Sequence, residues 1–120
     1  PIDDVSALLN NLVGSLCEGG TMIHCIHLED HKDIQGDPFA FLDIPGNQYT
    51  RKLQSNRGNR IRCSEWRRLF GNIDGVKTDF IYDYSRIDKP LPESIDRSIS
   101  YSDEADLRTS HMGVYTQKNK

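Results

Sequence analysis

Three of the four histidines, His24, His27 and His31, fall within eight residues of one another, beside Glu29, Asp30 and Asp33. Imidazole and carboxylate together are what zinc or another transition ion needs. The surrounding stretch argues against such a site. Residues 21–28 are short, apolar and β-branched and so read as a strand, on which positions 24 and 27 point to opposite faces. They converge only if the strand bulges or ends at Leu28, and the stretch offers no H-E-x-x-H helix. The expectation is therefore no tight metal site and no cofactor. His24-Cys25 is not a phosphatase nucleophile: five residues on from the thiol the chain has no glycine-rich loop and no arginine, but two acids that oppose thiolate formation. Cys63 is the better reactive thiol on paper. It precedes an expected helix N-terminus and has Arg60, Arg62 and Arg67 nearby, all of which lower a thiol pKa. No local base accompanies it. Cys17 and Cys25 read as buried thiols. An odd number of cysteines, three, without C-x-x-C spacing points away from a disulfide framework and toward a reducing compartment.

The strongest signal is charge. Residues 51–70 carry Arg51, Lys52, Arg57, Arg60, Arg62, Arg67 and Arg68 against one acid, Glu65, for a net of +6, whereas residues 1–50 carry a net of −7. Guanidinium forks bind phosphate bidentately, and Tyr49, Trp66 and Phe70 interleave the block with faces on which unpaired bases stack. Residues 51–68, with Tyr49, are thus the expected anion or nucleic-acid site. The competing reading is that the acidic and basic segments face each other in the fold, and Trp66 and Phe70, four apart, suit a buried helix face. A pI near 5.8 lowers the case for nucleic acid.

The elements that position these groups follow from periodicity. Ile2, Val5, Leu8, Leu9, Leu12, Val13 and Leu16 recur at helical spacing, so residues 2–18 form an amphipathic helix that stops at Gly19-Gly20. Leu8 and Leu12 are expected in the core with Phe80 and with Ile81 or Tyr82. After the strand at 21–28 and a polar loop, 39–44 and 48–54 read as two strands joined by Pro45-Gly46-Asn47, and 60–63 as a further extended segment. A short helix follows over 64–70, with Ser64 as its cap, then a long strand over 76–87. Residues 89–120 read as an extended polar arm with a short helix near 103–108. Its Leu91, Ile95, Ile99 and Tyr101 are too sparse for a core of their own, and the arm is expected to dock on another chain.

The whole is one α+β domain over residues 1–88 with an arm over 89–120: an antiparallel sheet of four to five strands, an N-terminal amphipathic helix and one short second helix. The chain has 120 residues, 36% apolar and 28% charged, enough for one modest core. No apolar run is long enough to span a membrane, no targeting segment is seen, and an intracellular setting (cytoplasm or nucleus) is expected. Opening on Pro1 suggests a processed product or a piece of a longer chain. No acid–base or nucleophile set survives, so the expected function is a non-enzymatic interaction module that binds a protein partner or a second copy through its sheet and arm. The alternative is RNA or single-stranded DNA binding through residues 51–68.

Overall fold

The computed structural model describes residues 2–120, with side chains from Asp4 onward. The chain is α+β. Helix α1 (Ile2–Gly14) leads into strand β1 (Thr21–His27) through Gly19, whose φ of +74° is open to glycine at low cost. A long crossover holds two 3₁₀ turns, at Ala40–Asp43 and Gly46–Gln48, and helices α2 (Arg51–Arg57) and α3 (Cys63–Gly71). Strand β2 (Val76–Ser85), the short helix α4 (Glu104–Arg108) and strand β3 (Thr109–Lys118) complete it. No helix of the described residues is long and apolar enough to cross a membrane.

Among the described residues the sheet has three strands in the order β1-β3-β2, both outer strands antiparallel to β3. That corrects the expected four to five strands and the expected arm. Residues 109–118 do not extend away from the domain; they are the centre of its sheet. Met112, Val114 and Thr116 are fully buried on one face and alternate with His111, Gly113 and Tyr115 on the other. The two strands expected at 39–44 and 48–54 are a 3₁₀ turn and a turn leading into α2, which Thr50 caps by accepting from the Leu53 N–H at 3.3 Å. Phe39, Phe41 and Leu42 are all buried, and burying positions 39, 41 and 42 together is not the period of a strand with one wet face. Residues 60–62 form no strand, and α3 begins one residue before Ser64, at Cys63.

Two apolar clusters hold the fold. In the first, Leu9 and Val13 of α1 and Trp66, Leu69 and Phe70 of α3 pack on Met112 and Val114, so both helices cover the same face of the sheet. Leu8 and Leu12, expected inside, point outward at 56% and 37% exposure; the buried stripe runs one residue later, through Val5, Leu9 and Val13. Phe80 packs against this cluster, while the bulge between Phe80 and Tyr82 leaves Ile81 exposed. In the second cluster, Phe39, Phe41, Leu42 and Leu107 pack with Leu91, Ile95 and Ile99.

Candidate functional site

The basic segment is used mostly within the fold. Arg57 grips the buried Asp30 carboxylate through Nε, at 2.9 Å, and Nη2. Arg60 donates to the Phe41 and Ile44 carbonyls at 3.0 and 2.6 Å, reaches Asp96 at 3.3 Å, and lies over the Tyr49 ring at 4.2 Å. Tyr49 in turn donates to the Gly58 carbonyl at 2.5 Å. Arg62 is fully buried and donates to the Leu28 and Arg60 carbonyls at 2.8 and 3.1 Å. Burial lowers its pKa to about 10. Arg67 pairs with Asp83 at 2.9 Å and Arg68 with Glu65 one helical turn back. Arg51 and Lys52 are exposed on α2 without an ion-pair partner among the described residues. Five of the seven cations are thus turned to carboxylates or carbonyls of this chain.

The arm residues are divided in the same way. Leu91, Ile95 and Ile99 are half-buried against the second cluster, and Tyr101 is exposed. Asp106, in α4, accepts from the Ser64 N–H at 2.7 Å, the Ser64 hydroxyl at 2.5 Å and the Ser102 N–H at 2.9 Å. It therefore supplies from a distant element the acceptor that the first turn of α3 needs. A cleft of about 400 Å³ lies beside this segment, lined by Tyr49, Arg60, Ile61, Ser98 and Ile99 among others.

The cysteines depart from expectation. Cys17 and Cys25 are exposed, and Cys63 is the buried one. Burial raises the Cys63 pKa, outweighing the hydrogen bond from Arg67 that pulls it down, so no activated thiol results.

The histidines separate as strand geometry requires. His24 turns into the core, its ring 5.6 Å from that of Phe70, and burial lowers its pKa. His27 lies on the opposite face, stacked between His31 at 5.1 Å and His111 at 4.6 Å. Beneath them Glu29 is buried, with His27 Nε2 at 2.8 Å and Arg86 at 3.0 Å. Sequence spacing could not place His111 here; its signal is cross-strand, since β1 and β3 pair His27 with His111 directly.

The other uncommitted surface is the sheet itself. With both helices on one face, the opposite face exposes Ile23 (63%), Cys25 and Tyr84 (64%), and the Tyr82 ring lies across Gly113, where a Cβ would collide with it. Among the described residues β1 pairs only with β3, so its outer edge carries unpaired backbone groups. No family model, curated protein or solved structure matches this chain.

Proposed function

We propose that this chain is a non-enzymatic interaction module that extends its sheet by pairing β1 with a strand of another protein chain, the favoured donor being a second copy. The observation that carries this reading is the bare outer edge of β1. Edge strands are ordinarily blunted by lysine, proline, inward charge or bulges. β2, at the opposite edge, has such protection: Lys77, Asp79 and Asp83 in its sequence and register shifts at Phe80/Tyr82 and Tyr84/Ser85. β1, Thr-Met-Ile-His-Cys-Ile-His, has no lysine, arginine, acid or proline, and it runs in unbroken register along β3.

The same seven residues are symmetric about His24 in polarity: polar Thr21 mirrors His27, and apolar Met22 and Ile23 mirror Ile26 and Cys25. Antiparallel pairing of two copies about that residue sets Met22 opposite Ile26 and Ile23 opposite Cys25, so apolar side chains meet apolar side chains on both faces. A twofold contact requires this kind of self-complementarity. The result is a continuous six-stranded sheet whose wet face carries Ile23 and Cys25 from both copies, closing over a seam that a single copy leaves exposed. The main-chain hydrogen bonds supply affinity and the side-chain pairs fix register. The basic segment does not enter this reading, because most of its guanidinium groups are already engaged.

Ile23→Lys tests the proposal. Its side chain is exposed, so the charge leaves the core intact but opposes strand addition. The parent chain is expected to sediment as a dimer, and Ile23→Lys as a monomer whose melting midpoint matches that of the parent diluted until it dissociates. A monomeric parent at millimolar concentration, or a dimer indifferent to Ile23→Lys, contradicts it.

A further inference from the structure

Glu29 gathers two imidazoles at the carboxyl end of β1. His27 Nε2 is 2.8 Å from Glu29 Oε1 and His111 Nε2 is 3.8 Å from the same oxygen. The three ligand atoms lie within 4.8 Å of one another. The carboxylate is held in place: its side chain is 1% exposed, and Arg86 occupies the other oxygen, Oε2, at 3.0 Å. That leaves Oε1 as a fixed, monodentate donor.

His111 is prepared from behind. Ser110 is buried, and its hydroxyl donates to the Tyr84 carbonyl at 3.1 Å. With its hydrogen engaged there, the Ser110 oxygen accepts from His111 Nδ1–H at 3.0 Å. This network assigns the proton to Nδ1 and leaves the Nε2 lone pair free on the Glu29 side. Metal-binding histidines are oriented by this kind of bond on the second nitrogen.

We propose that His27, Glu29 and His111 form a site for a divalent transition ion of borderline softness, with zinc as the probe. Two imidazoles and one carboxylate are a donor set for such ions. Zinc holds nitrogen and oxygen at about 2.0–2.2 Å, which in a tetrahedral site puts neighbouring ligand atoms roughly 3.4 Å apart. The observed 2.8 and 3.8 Å bracket that spacing; the His27 and His111 rings, stacked at 4.6 Å, must tilt apart for both Nε2 lone pairs to converge on one ion. To ligate through Nε2, His27 must carry its ring hydrogen on Nδ1, a change of tautomer that exchanges the hydrogen bond to Glu29 for a bond to the ion. The Arg86 charge opposes the ion, but its guanidinium sits on Oε2 and leaves Oε1 open. His27 and His111 are 28% and 47% exposed, so the remaining coordination positions face solvent. His24 and His31 take no part: one ring is in the core, and the other is stacked on the far side of His27.

The test is a calorimetric zinc titration of the full chain, repeated with cobalt, whose visible spectrum reports the coordination. One equivalent of zinc is expected. His111→Ala and His27→Ala should each weaken binding by more than tenfold, Ser110→Ala by roughly tenfold through loss of the oriented tautomer, and His31→Ala not at all. Glu29→Gln should abolish binding, but Glu29 is buried; His111→Ala, at an exposed ring, keeps the test decisive if Glu29→Gln fails to fold. No saturable binding overturns the proposal. So does binding that survives His111→Ala, as it would if the exposed thiols of Cys17 or Cys25 were the ligands, or binding that falls equally with His31→Ala.

Discussion

At the scale of single residues, a charge in this chain is explained by its partner, and the partner is usually far away in sequence. The arginines of residues 57–68 are conspicuous as a block, and their block suggests an external anion. Asp30, Asp83 and Asp96, which meet three of them, carry no local mark that they would do so. Asp106 is a sharper case. From α4 it accepts three hydrogen bonds, two from Ser64 at the start of α3 and one from Ser102. Asp106→Ala should cost about 1–2 kcal/mol, since it takes the acceptor from the half-buried Ser64 at the start of α3 and from the Ser102 N–H; urea denaturation measures this, and a loss within experimental error of zero would remove Asp106 as the link between these helices. His24 makes a prediction in pH. Burial lowers its folded pKa below the free-imidazole value of 6.5. The unfolded chain therefore takes up a proton first as pH falls, and stability is lost from there down to the folded pKa. Replacing the ring by an apolar side chain, His24→Leu, should flatten the fall in melting midpoint between about pH 7.5 and about pH 5.5; an undiminished slope would assign the pH dependence to other groups.

At the scale of elements, periodicity located α1, β1, α3, β2 and the short helix α4 within a few residues, because each has a clear apolar stripe or a capping residue such as Asp103. It failed where polar residues are buried. β3 contains Thr109, Ser110 and Thr116, all buried, and Gly113, so its composition resembles a solvated tail. Met112 and Val114 alone are too few to mark a strand, and only the sheet on either side explains why so few apolar groups suffice. The buried face of α1 lies one position from the expected one, since Leu8, Leu9, Leu12 and Val13 fit two overlapping stripes. Leu9→Ala should therefore cost about 2–4 kcal/mol and Leu8→Ala less than about 1 kcal/mol. Chemical denaturation of the pair decides it, and the reverse order would return the helix to the face expected from sequence.

At the scale of the molecule, three strands with helices on one face leave a surface that the chain does not cover itself. Segment 89–103 is not available to cover it, because Leu91, Ile95 and Ile99 are committed to the second cluster. What remains is the uncovered sheet face and the outer edge of β1. None of this was legible from β1 alone, because a seven-residue apolar run reads equally as a central or an edge strand. Its edge position depends on β3 taking the central place. Amide hydrogen exchange along Thr21–His27, followed as the protein is diluted, tests strand pairing most directly. In a free edge strand alternate amides point to solvent and exchange readily, whereas in a paired strand all are protected. We expect the outward amides of β1 to be protected when the protein is concentrated and to lose that protection on dilution or in Ile23→Lys, while β3 stays protected throughout. Outward amides that exchange at the same rate at every concentration would contradict the account.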